Sequence, residues 1–133
     1  MWSYPGLFVS QAARLALLLT FVACSDPLAP FQPEVTSATD NFQLQATGVT
    51  NLTTTRTYSW SNTGSRATIN HSTTIGGGAA RLVVRDAAGA VVYDRALAPS
   101  INEPTTAGTA GAWKVELHLT GYSGTLNFRA QKL

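Results

Sequence analysis

The chain has 133 residues, enough for one domain, and only 12% of them are charged, with a formal net charge of +2. So thin and balanced a charge lacks the clustered Lys and Arg of a nucleic-acid binder and leaves Thr, Ser, Asn and Gly to supply the polarity. A single cysteine builds no disulfide framework within the chain, so the folded part must rest on its own apolar core.

Reading from the N-terminus, Arg14 precedes an apolar run of nine residues, Leu15 to Ala23. A bilayer span needs about 20 apolar residues, so this run is too short to cross. A basic side chain, a short apolar core and a small residue at its end describe a secretory signal peptide, expected as a helix over residues 1–23. The residues Phe21-Val22-Ala23-Cys24 resemble the lipobox of bacterial lipoproteins. That resemblance implies cleavage before Cys24, a diacylglyceryl group on its sulfur, and a mature chain anchored in the cell envelope. Ser25 after the cysteine, where Asp would imply inner-membrane retention, favours the outer membrane. An anchor of two or three acyl chains would exceed the marginal binding of a single one. The other reading is an ordinary cleaved signal, or a buried N-terminal helix with a chance cysteine.

Residues 24–40 carry Pro27, Pro30 and Pro33 at three-residue spacing. Proline at that density opposes helix and favours extended polyproline geometry, about 3.1 Å per residue. The stretch is therefore expected to be a tether holding the domain up to roughly 50 Å from the bilayer. The alternative makes residues 34–37 an edge strand of the domain.

From residue 41 to 133 apolar residues alternate: Phe42, Leu44 and Ala46; Leu52, Tyr58 and Trp60; Ala67 and Ile69; Leu82 and Val84; Val91 and Tyr93; Trp113 to Leu119; Leu126, Phe128 and Ala130. A period of two, broken by turn residues every eight to twelve positions, predicts a single antiparallel all-β sandwich of about seven strands, immunoglobulin-like or jelly-roll-like. Three hairpins are expected. A type I turn at Asp86-Ala87-Ala88-Gly89 would set Val84 opposite Val91, Leu82 opposite Tyr93 and Arg81 opposite Asp94. A turn at Gly121–Gly124 would set Leu119 opposite Leu126, Leu117 opposite Phe128 and Glu116 opposite Arg129. A turn at residues 62–65 would set Trp60 opposite Ala67, Tyr58 opposite Ile69 and His71 opposite Arg56.

The D-x-x-G hairpin at Asp86, the G-x-W-x-V strand at Trp113 and the S-G-x-x-x-F strand at Phe128 resemble small secreted bacterial β-sandwich modules of the pre-peptidase C-terminal and CUB-like kind. That resemblance implies an accessory or interaction module and carries no catalytic residue.

Few side chains suggest chemistry. His71 and His118 are the only histidines; the Arg expected beside His71 disfavours a protonated role and no carboxylate near it in sequence is placed to orient it, while His118 lies two residues from Glu116. His118 is read as a solvated sheet residue opposite Asn127. No spacing suits a metal or a cofactor, and none is expected. Trp60 and Tyr58 share a strand face and Tyr122 stands between glycines, so these three are the candidate platform for stacking a sugar ring, against the reading that Tyr58 and Trp60 are core. The expected function is a non-catalytic, lipid-anchored envelope module that meets the membrane through Cys24 and an unknown envelope protein. A glycan-binding module on the same tether is the alternative.

Overall fold

The structure, a computed structural model, describes residues 26–133. The expected signal peptide and Cys24 lie outside the described residues. Seven antiparallel strands form one hydrogen-bonded sheet: β1 (Glu34–Ala38), β2 (Asn41–Asn62), β3 (Ala67–His71), β4 (Thr74–Arg85), β5 (Val91–Ala96), β6 (Ile101–Pro104) and β7 (Gly111–Lys132). The all-β architecture is thus the one that alternation predicts.

β2 and β7 are 22 residues each, and they pair along almost their whole length. Straight strands of that length would be far longer than the domain is wide. Both therefore fold over. Phe42 and Tyr58 lie on the same strand, where a straight run would hold them about 50 Å apart, yet their ring centroids are 5.6 Å apart. The first half of β2 and the second half of β7 make a lower layer with β1, β3 and β6, in the order β1-β2-β7-β3-β6. The second half of β2 and the first half of β7 make an upper layer with β4 and β5. The two layers face each other as a sandwich, and the sheet runs continuously through the fold.

The fold line is written in glycine. Register shifts fall between Ala46 and Thr54 on β2 and between Ile75 and Ala79 on β4, opposite residues 119–126 of β7. Gly124 has φ +149°, and a Cβ there would run into the Thr74 carbonyl. Gly78 has φ +66°, and a Cβ there would strike the Thr120 and Gly121 carbonyls. Only residues without side chains let the three backbones pass this closely.

Inward-facing residues of both layers build one core. Trp60 and Trp113 pair across β2 and β7 with rings edge to face at 5.8 Å, and Phe42 stacks on Phe128 at 6.0 Å. Each indole N–H is satisfied, Trp60 donating to Ala38 O and Trp113 to Thr109 O. Nearly every residue placed on the inward face by alternation is buried or packed on the core.

Three expectations are corrected. Gly121–Gly124 is a bend within β7 and no reversal, because Tyr122 points into the core and donates its hydroxyl to Thr74 O at 2.7 Å. Leu119 and Leu126 are therefore not partners, and Glu116 faces Thr57 and Val83 in place of Arg129. Residues 63–66 link layers and make no hairpin, so Trp60 opposes Trp113, Tyr58 opposes Val115, and His71 opposes Phe128 and Ile101. At Asp86–Gly89 the turn is present, with Gly89 N donating to Asp86 O. A bulge beside it shifts the pairing, so that Val84 opposes Tyr93 and Val91 turns outward, 47% exposed. Val92 takes the buried place instead.

The proline-rich stretch also differs from an extended tether. Ala29–Phe31 is a one-turn 3-10 helix, and Glu34–Ala38 is the edge strand of the lower layer, the alternative reading of that segment. Leu28 is fully buried in the core and Phe31 packs against it. Asp26 holds this plug at both ends: Oδ1 accepts from Leu28 N and Oδ2 pairs with Arg56 Nη2, each at 2.9 Å. Three prolines oppose helix, but they do not prevent a buried leucine from docking between them.

Candidate functional site

The structure removes the aromatic platform. Trp60 is 1% exposed and Tyr122 0%, both inside the sandwich. Tyr58 is half-buried against Phe42, with the Arg56 guanidinium 5.6 Å above its ring and the plug beside it. Burial raises the pKa of Tyr58 and pushes that of Tyr122 up to about 12. Trp60 and Tyr122 present no ring to solvent and Tyr58 only part of one, because the alternation that puts Trp60 on one strand face puts it on the core face.

His71 is also core. Its Nε2 lies 3.2 Å from the Tyr93 hydroxyl, a bond between the two layers, and Nδ1 has no hydrogen-bonded partner. Burial lowers its pKa below the usual imidazole range. Nothing about it is accessible to a substrate.

Two outward faces remain. The upper one carries Ser59, Thr57 and Thr55 of β2, Lys114, Glu116 and His118 of β7, Arg81 and Arg85 of β4, and Asp94 of β5, in facing register. These groups satisfy one another. Arg85 Nε pairs with Glu116 Oε1 at 2.9 Å, Arg81 forms a two-pronged pair with Asp94, and Lys114 Nζ donates to Ser59 Oγ at 2.8 Å. His118 stands half-exposed between Thr55 Oγ1 and Glu116 Oε2, 3.3 Å from each, and not opposite Asn127. Hydroxyl, imidazole and carboxylate in series are the elements of a nucleophile relay. Here both contacts are long, Glu116 is already turned to Arg85, and the row lies on an open sheet face with no wall to exclude water. At the end of this layer Asp86 accepts from the backbone N–H groups of Thr109, Ala88 and Ala90, which hold its carboxyl below the usual carboxylate range.

The lower face is different in kind. Its register sets Asn102, Asn70, Arg129 and Gln43 in one row across four strands. Thr68, Gln131 and Asn41 form the next row, and Asn127 and Gln45 the third. A shallow groove of about 300 Å³ runs along it, lined by Thr68, Asn70, Asn102, Asn127, Arg129, Gln131 and Lys132. Internal bonds are few and long: Arg129 Nη2 to Gln43 Oε1 at 3.3 Å and Gln131 Nε2 to Asn41 Oδ1 at 3.4 Å. Asn127 Nδ2 donates to Ser72 Oγ at 3.0 Å. No acidic residue lines the groove.

This face was legible only in part. Each of its residues occupies an outward slot of a strand with an inward apolar face, but which strands lie side by side, and so which amides gather, depends on the fold line at Gly121–Gly124. Among the described residues no group of three His, Cys, Asp or Glu comes close enough to hold a metal ion, and no helix is long and apolar enough to cross a membrane. No protein-family model matches the chain, and no curated protein is similar to it.

Proposed function

We propose that the chain is a non-catalytic envelope lipoprotein, anchored through lipid on Cys24 and displaying a β-sandwich interaction module. The observation that carries this reading is the coincidence of the lipobox-like Phe21-Val22-Ala23-Cys24 with the start of the fold. Asp26, two residues after Cys24, is already tied to Arg56, and Leu28 is already in the core. A mature chain beginning at Cys24 would be almost entirely domain.

The geometry changes the expected display. Two residues of chain reach about 7 Å, so an anchored Cys24 would hold the domain against the bilayer surface rather than on a long spacer. The plug end, with Asp26, Arg56 and Phe31, would then face the headgroups. The module reading is supported by a second feature: the upper face pairs its own ionic groups, and the lower face presents an array of polar groups that the fold leaves largely unused.

Mass spectrometry of the membrane-extracted protein tests the anchor. The expected product begins at Cys24 with a diacylglyceryl thioether, and Cys24→Ser should release the domain from the membrane fraction. An unmodified N-terminus, or Cys24→Ser protein that stays membrane-bound, would overturn the reading.

A further inference from the structure

We propose that the amide-rich outer face of β3, β6 and the second half of β7 binds an acidic polysaccharide, whose carboxylate is held by Arg129 and whose hydroxyl groups are held by Asn70, Asn102, Asn127 and Gln131. The inference names the partner class of the interaction module proposed above and rests on that reading, but it does not depend on the anchor.

The donor set is the first reason. A carboxamide offers two donors and an acceptor in one plane, which suits adjacent hydroxyls that each donate and accept. Four of the seven residues lining the groove are Asn or Gln. Asn70 and Asn102 face each other across β3 and β6, and among the described residues neither makes a side-chain hydrogen bond within the protein. Their groups are therefore available without breaking a bond of the fold. Adjacent strands are about 4.8 Å apart, so the row Asn102–Asn70–Arg129–Gln43 spans about 14 Å and repeats at the scale of successive rings in an extended sugar chain.

Charge decides the class of glycan. Arg129 has no carboxylate within ion-pair distance among the described residues, its one side-chain partner being Gln43 at 3.3 Å. Lys132, at the end of the groove, is 3.8 Å from Asp40. No acidic side chain lines the groove; Glu34, paired with Gln45, stands at the far β1 edge. A guanidinium amid amides is the complement of a carboxylate amid hydroxyls, and it can take both carboxylate oxygens at once.

Other occupants fit less well. A protein partner is anchored by aromatic or large apolar side chains in a desolvated centre, and the exposed large apolar residues among those described, Val35, Val91 and Leu133, all lie outside the groove lining. A nucleic acid needs many phosphate-neutralising cations in series, and this groove offers Arg129 with Lys132 beside it.

Isothermal titration of the full-length protein in detergent, with hexamers of galacturonic acid and of hyaluronan, and maltohexaose as the neutral counterpart, tests the proposal. At least one acidic hexamer should bind, with affinity falling as salt rises, and maltohexaose should bind at least tenfold more weakly. Arg129→Gln should weaken the acidic ligand at least tenfold while Arg129→Lys keeps part of the affinity. Asn70→Ala and Asn102→Ala should each weaken it two- to tenfold, and Lys114→Gln on the opposite face should leave it unchanged. Should Arg129→Gln melt differently from the parent, Asn102→Ala carries the test alone, since its side chain holds nothing in the fold. Failure of both acidic hexamers to bind would overturn the proposal, as would equal weakening by Lys114→Gln, or concentration-dependent self-association lost in Asn102→Ala. A lipidated Cys24 with no glycan binding would sink this inference and leave the anchor standing.

Discussion

The two outward faces of this sandwich come from the same pair of bent strands, β2 and β7, and they spend their polar groups in opposite ways. On the upper face Arg81, Arg85, Lys114, Asp94 and Glu116 are all engaged with neighbours across the sheet. On the lower face Asn70 and Asn102 are engaged with none, and Arg129 only with an amide. A strand that pairs its charges internally stabilises itself and has little left to offer a ligand. One that keeps neutral amides pays almost no electrostatic penalty for leaving them unpaired in water, and so can hold an ordered array open. The difference separates a face that helps to maintain the fold from one that the fold can do without.

That separation presumes one cooperative unit beneath both faces, and the largest effects should come from breaking it. Trp113 lies under the upper face and Phe128 under the lower, both essentially without exposure. Trp113→Ala and Phe128→Ala should each destabilise the domain by about 3–5 kcal/mol. Hydrogen exchange should show both layers losing protection together in either variant, because Phe42 and Tyr58, and His71 and Tyr93, connect the layers directly. If Phe128→Ala loosened β3 and β6 while β4 and β5 kept full protection, the layers would be separate units and the comparison would be between two small domains.

The fold line comes next. At Gly124, with φ +149° and the Thr74 carbonyl where a Cβ would go, Gly124→Ala should destabilise by more than about 1 kcal/mol. Gly89→Ala, at φ +85° in the Asp86 turn with open space around it, should cost less, since only backbone strain is added. Equal melting temperatures for the two variants would show that β7 does not need close backbone contact to bend.

These positions also mark what could be read from the chain. Period-two alternation marked most of the strand segments and most of the core, because in a sheet with one buried face the pattern fixes which side chains turn inward. It split β2 and β7 into two segments each and gave no sign of β6, and it left out Leu28, Val49, Ala80, Val92, Leu97 and Tyr122. Pairing was less legible. A glycine-flanked Tyr122 reads as a turn tip when only local signals are weighed, and nothing local reports that its ring is drawn into the core and its hydroxyl to Thr74, 48 residues away. Mistaking that bend for a reversal also hid the lower face, since Asn70 and Asn102 line up with Arg129 only when β7 runs on past its bend to Lys132 beside β3. Leu28 was hidden for a different reason: proline spacing reports backbone preference, while docking depended on one buried side chain and the distant Arg56.

Acid should act on the two faces unequally. In Glu116 burial pulls the pKa up, but the hydrogen bonds from Arg85 and His118 outweigh it and leave it lowered. Asp94 is lowered by its bond to Arg81, and Asp86 by backbone N–H groups led by Thr109. A carboxylate whose folded pKa is depressed gives stability that is present above its unfolded value and lost as pH falls through the folded one. His71, held neutral by burial, has the same sign: stability is lost as pH drops below the ordinary value of 6.5. Thermal melts from pH 7 to pH 3 should therefore decline in two stages, the first below about pH 6.5 and removed by His71→Gln, the second below about pH 4.5 and reduced by Glu116→Gln. The groove residues of the lower face contribute no titrating carboxylate. A pH profile unchanged in Glu116→Gln would mean that the upper-face pairs are solvated ornaments and that both faces are equally dispensable to the fold.

The smallest expected effect is the most informative. Asn70→Ala and Asn102→Ala remove exposed side chains and Gln45→Ala a half-buried one, none of them bonded to another side chain among the described residues, so each should shift stability by less than about 0.5 kcal/mol, measured by urea denaturation at constant m-value. Near-neutral values would mean that stability does not require an amide at these positions, and that any loss of ligand affinity in the same variants belongs to the face itself. If instead the three variants each lost more than about 1 kcal/mol, the amides would be holding the lower layer together through contacts stronger than the long bonds seen at Gln43 and Asn41, and the contrast between a structural and a presenting face would fail.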